Sequence, residues 1–210
     1  MKKVFLLVGL VCMGFLANAQ FYAGGSLGFM NSVTKPNTGD SRDKFMGFNI
    51  APEVGYSLSD KMDVGISVAF GTSKMTDFTD SDNERVRKGN EWSVNPYVRY
   101  SLVEYKRFKV LGKATFSLGM ESGKTEVKIA GTTTSTDDPS VTNIGLSIVP
   151  MLTYDISDRF VLFTDLNFLG LGFTNSKIKD AESTTGFGLL FDANDVVNVG
   201  AITIGFAYKF

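Results

Sequence analysis

Eight stretches of the chain alternate apolar with small or polar residues, and in each the apolar set keeps mainly to one parity. In residues 21–29 one face is Phe21, Ala23, Leu27 and Phe29, and the other is Tyr22, Gly24, Ser26 and Gly28. The second stretch sets Met46, Phe48, Ile50, Pro52, Val54 and Tyr56 against Gly47, Asn49, Ala51, Glu53 and Gly55. The third sets Met62, Val64, Ile66, Val68 and Phe70 against Asp63, Gly65, Ser67 and Ala69. The fourth sets Trp92, Val94, Pro96, Val98 and Tyr100 against Ser93, Asn95, Tyr97 and Arg99. A period of two predicts strands with one greasy face.

The pattern continues to the last residue. Phe108, Val110, Ala114, Phe116 and Leu118 oppose Lys109, Lys113, Thr115 and Ser117. Ile144, Leu146, Ile148, Pro150, Leu152 and Tyr154 oppose Gly145, Ser147, Thr153 and Asp155. The seventh stretch is mixed: Phe160, Leu162, Leu166 and Phe168 lie on the apolar parity. Val161, Phe163 and Leu169 join Asp165 and Asn167 on the other. The eighth carries Ile202, Ile204, Phe206, Tyr208 and Phe210 against Thr203, Gly205, Ala207 and Lys209.

The connections alternate in length. Residues 57–61, 103–107 and 157–159 read as short turns, whereas 31–44, 72–90, 121–143 and 175–195 read as long polar loops. Eight strands of roughly 9–13 residues, joined by turns short at one end and long at the other, predict an all-β, up-and-down antiparallel transmembrane β-barrel with both termini on the short-turn side.

A repeat fixes the register. Pro-x-apolar-x-Tyr-x-apolar occurs at 52–58, 96–102 and 150–156, and the last strand keeps the frame with Ile204 in place of proline. Tyr56, Tyr100, Tyr154 and Tyr208 therefore fall at one depth, as an aromatic girdle at the membrane surface requires. The prolines are in tension with a closed sheet, because they give no ladder donor. Each is expected at a bulge or beside an unpaired carbonyl.

A soluble ligand-binding barrel would turn its greasy face inward. Here that face holds Trp92 and most of the large apolar side chains, while the other holds Gly, Ser, Thr and Asn. Eight-stranded interiors are narrow and filled by side chains, so the large residues face lipid. The inward face also carries Glu53, Asp63, Arg99, Lys109, Lys113, Asp155, Asp165 and Lys209, four acids and four bases. A closed interior needs such charges paired, so they are read as a lumen ion-pair network that plugs the barrel. By depth, Asp63, Arg99, Lys109, Asp155 and Lys209 lie near the short-turn end. Glu53, Lys113 and Asp165 lie deeper, which points Lys113 toward Glu53 or Asp165.

The N-terminus predicts export. Met1-Lys2-Lys3 precedes an apolar stretch at 4–16, and Ala17-Asn18-Ala19 is an A-x-A cleavage site. The domain reading is a signal peptide over 1–19 and a barrel domain over 20–210. A lipid anchor on Cys12 is the competing reading, but Gly9-Leu10-Val11 lacks the small residue expected just before it. Cleavage removes the only cysteine, so no disulfide is expected. It also removes two lysines, taking Lys and Arg from 21 to 19 against 22 acids and the formal charge from −1 to −3. No clustered basic excess points to nucleic acid.

With signal peptide, strand number, loop alternation, girdle and terminal Phe210 together, the mature chain resembles the small eight-stranded outer-membrane β-barrels of Gram-negative bacteria, the OmpA/OmpX type and related barrel domains. The resemblance implies residence in the outer membrane. It implies as partners the outer-membrane lipids, the periplasmic chaperones and the assembly machinery, which would read Phe206, Tyr208 and Phe210. The chain stops at Phe210 without a peptidoglycan-binding domain, so a cell-wall tether is not implied.

Catalytic chemistry is sparse. The sequence has no histidine, whereas barrels of this kind that act as lipid-modifying enzymes or proteases resemble one another in using one. No cofactor, metal site or catalytic residue is assigned. Gly119 to Thr125 imitates a phosphate loop but has three residues between its glycines instead of four. Asp80-Ser-Asp82-Asn83-Glu84 echoes a calcium loop, with Arg85 where glycine is needed. Lys74, Arg85, Arg87 and Lys88 read as part of a solvated loop, with contact to lipid phosphate as the sharper alternative. The sequence thus predicts a non-enzymatic outer-membrane barrel serving envelope structure, adhesion or interaction of its loops with an unknown surface ligand. The alternative is a narrow, low-conductance channel for small solutes.

Overall fold

The computed structural model describes residues 21–34, 42–80, 83–129, 132–167, 169–179, 181, 183–191 and 202–210. The expected signal peptide, Cys12 and the outward placing of Phe168 lie outside these residues. Among the described residues ten strands form one antiparallel sheet: β1 (Phe21–Thr34), β2 (Arg42–Ser59), β3 (Met62–Asp80), β4 (Asn83–Tyr105), β5 (Phe108–Ile129), β6 (Thr132–Asp155), β7 (Phe160–Leu166), β8 (Leu169–Ile178), β9 (Ser183–Phe191) and β10 (Ile202–Lys209).

Pairing runs β5-β4-β3-β2-β1-β10-β7-β6, and β6 pairs back onto β5, closing a ring of eight. The two further strands extend existing members of the ring. β7 pairs with Met151–Asp155 of β6 and β8 with its Val141–Ile148 part; β10 then pairs with β7, and β9 with β8.

Part of the mixed pattern of the seventh stretch, the parity of Leu169, comes from a break in register. Ile148 pairs with Leu171, but Met151 pairs with Asp165. Three steps along β6 therefore match six along its partner, and the odd excess flips the parity. Val161 and Phe163 are buried inside the barrel, whereas Leu169, expected inside, is exposed on the outer face with Leu171 and Phe173. Pro150 sits within this break. Pro52 and Pro96 interrupt the ladder differently. Pro52 opposes Gly25, and its ladder to β3 lapses between Ile50↔Phe70 and Glu53↔Ser67 without a register change. Pro96 opposes Ile66, and its ladder to β5 lapses between Val94↔Leu118 and Tyr97↔Thr115. Each of these two prolines thus keeps one neighbour and costs a few rungs with the other.

The expected long loops at 72–90 and 121–143 are instead mostly strand. β3 and β4 stay paired to Asp80↔Asn83, β4 and β5 to Asn83↔Ile129, and β5 and β6 to Ile129↔Thr132. Residues 175–195 likewise contain the end of β8 and all of β9. The reason is physical. Outside a bilayer both faces of a sheet are wet, so the apolar alternation that marks a lipid-facing strand disappears while backbone pairing continues.

Parity within the belt is sharp. Ile148 is 50% exposed and its neighbour Val149 only 6%. An exposed belt of Val, Ile, Leu and Phe covers the outside, and no helix of the described residues is long and apolar enough to cross a membrane. The backbone groups of the eight-stranded ring are satisfied by neighbouring strands in the closed sheet, as a crossing by strands would require.

Candidate functional site: the lumen

The centre of the barrel is a packed layer around Arg99. Its Nη2 donates to both carboxylate oxygens of Glu53, at 2.8 and 2.7 Å. Both side chains are almost wholly buried. The guanidinium lies 4.3 Å from the ring centre of Tyr97, 5.1 Å from Phe163 and 5.7 Å from Tyr22. The Tyr22 and Tyr97 hydroxyls meet at 3.1 Å, and Arg99 Nη1 donates to Tyr22 at 3.4 Å. Arginine suits this place because its flat, permanently charged guanidinium stacks on rings while one nitrogen, Nη2, reaches both carboxylate oxygens. Beside it, Lys113 donates to Asp165 at 2.6 Å and sits 5.4 Å from the Tyr97 ring centre.

Glycines make room for these rings. Tyr22 lies directly across the ladder from Gly55, Tyr97 from Gly65 and Phe163 from Gly205. A Cβ on any of the three would run into the facing ring. Large residues on one strand over glycine on the next fill a lumen too narrow for two side chains abreast.

Two cavities flank this layer and share no lining residue. One, about 550 Å³, opens toward the short-turn end and is bordered by Asp63, Lys109, Asp155 and Lys209 with Arg99 and Phe163. The other, about 570 Å³, lies on the opposite side among Gly28, Asn49, Glu91, Glu121, Asn167 and Thr203. Tyr22, Arg99, Met151 and Phe163 cap the first and are absent from the second; Met151 is 1% exposed.

The eight inward charges do not form one network. Glu53–Arg99 and Lys113–Asp165 are two pairs in the central layer. At the short-turn end Asp155 lies between Lys209 at 3.6 Å and Lys109 at 4.0 Å, and Lys109 also approaches Glu104 at 3.7 Å. Arg99, placed by depth with the short-turn group, reaches the deeper Glu53. Asp63 opposes Arg99 in the ladder yet makes no ion pair among the described residues. Glu104 accepts a 2.8 Å hydrogen bond from Ser101, which with Lys109 holds its carboxyl below the usual range. Glu104 and the ring partners of Arg99 are absent from the charge inventory that sequence supplies. The signal for the rings was the aromatic residue on a face otherwise small or polar.

Three of the four tyrosines in the repeat frame face another aromatic ring across the sheet. Tyr56 faces Phe21, Tyr154 faces Phe108 and Tyr208 faces Phe160, with ring centres 6.4, 4.7 and 5.0 Å apart. Tyr100, across from Met62, is 49% exposed. Phe210 packs edge-on against Tyr208, and its N–H donates to the Phe21 carbonyl, stitching the last strand to the first.

A sequence model of a family described as outer membrane protein beta-barrel domain matches residues 4–210. A search of curated proteins gives no match. Among solved structures, Neisserial surface protein A is 14% identical, covering 92% of this chain and 98% of that one, with a TM-score of 0.44. Ail, the attachment invasion locus protein of Yersinia pestis, is 18% identical over 91% and 99%, with a TM-score of 0.41. A major outer membrane protein from Thermus thermophilus is 12% identical over 91% and 99%, with a TM-score of 0.46.

Proposed function

The chain belongs to the outer membrane protein beta-barrel domain family, and within it we propose a non-enzymatic barrel that is plugged at its centre and works through its outer surface. The observation that carries this is the Arg99 layer, which separates two cavities with no lining residue in common. The working surface is the sheet that β3, β4, β5 and β6 continue beyond the apolar belt, ending at the tips of two hairpins. A ladder holds that surface in a fixed shape, which suits adhesion or recognition better than a mobile loop does. The assembly machinery and periplasmic chaperones are the partners during biogenesis, the apolar row Phe206, Tyr208 and Phe210 being the feature they would read.

Purified protein in planar bilayers tests the plug. No steady current is expected from the wild type. Stable unitary currents would favour the second reading, a narrow channel, for which the cavities on either side of the layer are the supporting observation. Orientation is tested with Thr134→Cys and Asp158→Cys in the mature chain, which the cleavage expected after Ala19 leaves without a native thiol. A membrane-impermeant maleimide should label only the first on intact cells; the reverse result would overturn the surface assignment.

A further inference from the structure

Lys74, Lys88 and Lys124 stand side by side on the outer face of the sheet. Lys74 is directly across from Lys88, and Lys88 from Lys124. Like charges in such positions are destabilising, because directly opposed Cβ atoms are only about 4.5–5.5 Å apart. One acid answers the row: Lys88 donates to both oxygens of Glu126, at 2.9 and 3.1 Å. That bond and the charges of Lys124 and Lys74 hold the Glu126 carboxyl below its ordinary value. Asp137 faces Lys124 across the ladder without pairing with it. Among the described residues Lys74 and Lys124 make no hydrogen bond or ion pair. The row carries more positive charge than the protein around it neutralises.

Its height decides what neutralises the rest. Two rungs toward the membrane lies Phe70-Trp92-Met120, the last apolar rung of these strands, with each side chain 41–52% exposed. Between the two is Thr72-Asn90-Ser122. Four residues of strand tilted at about 40° place the lysines roughly 10 Å above that apolar rung. The headgroup zone is about 5–8 Å deep on each side of a bilayer, and lysine reaches back along its own stem. We infer that this row binds phosphate groups of outer-leaflet lipid headgroups, fixing the depth of the barrel and gathering anionic lipid at the base of the projecting sheet. Ammonium groups bind phosphate through short charge-assisted hydrogen bonds.

Trp92, the only tryptophan of the chain, lies just below the row and reports on it. The mature protein is reconstituted in phosphatidylcholine vesicles containing increasing fractions of brominated phosphatidic acid or of brominated phosphatidylcholine. Brominated phosphatidic acid should quench Trp92 at a several-fold lower mole fraction. Lys74→Gln/Lys88→Gln/Lys124→Gln should abolish that preference, and millimolar inorganic phosphate should leave it in place. Equal quenching by the two lipids, or a preference surviving in the triple variant, overturns the inference. Loss of the preference to inorganic phosphate would make the ligand a free anion and overturn the lipid assignment. Should the triple variant not insert, Lys74→Gln and Lys124→Gln, which break no ion pair among the described residues, are each expected to reduce the preference; an unchanged preference in both overturns it.

Discussion

Arg99 of β4 passes over β3 to bond Glu53 of β2 with both carboxylate oxygens within 2.8 Å, although Asp63 is its direct neighbour in the ladder. Burial explains the choice. Glu53 is 5% exposed, whereas Asp63 borders the cavity at the short-turn end, where water can solvate it. A carboxylate taken out of water needs the guanidinium more than one that stays wet.

Breaking that pair on one side should be expensive. Glu53→Ala leaves Arg99 buried among rings without a counter-charge and is expected to cost about 3–5 kcal/mol, unless water enters. Denaturant unfolding of the barrel in vesicles measures it. The double variant Glu53→Leu/Arg99→Met removes both charges at similar volume and should recover most of the loss. A double variant no more stable than Glu53→Ala would mean that the pair is not the source of the effect.

The ring of eight and its exposed apolar face were legible because one physical rule, a period of two beside hydrocarbon, writes both. Partner choice was not. Parity puts Arg99, Glu53 and Asp63 inside but says nothing about which carboxylate is dry. The register break in the seventh strand shows in the sequence only as a mixed pattern, so parity alone puts Leu169 on the wrong face. Above the membrane the same rule stops operating, which is why β3 to β6 read as loops from Thr72 and Glu121 onward. In the sequence Lys74 and Lys88 read only as loop charge and Lys124 only as part of the phosphate-loop imitation, because their alignment depends on pairing across three strands.

Gly55 lies under the Tyr22 ring, and all three of the nearest atoms to an added Cβ belong to that side chain. Gly55→Ala should therefore destabilise by overpacking, by about 1–3 kcal/mol. In a Tyr22→Ser background the same change should cost little. The coupling between the two substitutions in a double-mutant cycle is the measurement; additive effects would show that the glycine serves another purpose.

Glu104 gives a pH dependence with a definite sign. Its folded carboxyl is held below the usual range by Ser101 and then by Lys109. A depressed acid stabilises the fold above its unfolded value and loses that contribution as pH falls through the folded one. The group is exposed, so the effect on unfolding is small and is better followed by NMR titration of the side chain. Ser101→Ala should move the midpoint upward. An unchanged midpoint would show that the hydroxyl does not hold the carboxylate.

Ile148 and Val149 are adjacent in sequence and opposite in environment, one 50% exposed on the belt and the other 6% exposed in the lumen. Ile148→Arg places a charge toward hydrocarbon, which costs about 2–4 kcal/mol near the midplane of a transmembrane barrel and less toward its surfaces. Ser147→Asn, on the inward face, meets no lipid and should shift stability by clearly less. Refolding both variants into vesicles separates the environments, because in detergent micelles the arginine is less confined and its penalty should shrink. An arginine at 148 that refolds as well as wild type, beside an asparagine at 147 that does not, would reverse the two faces of β6. It would also undo the assignment of every strand paired to it.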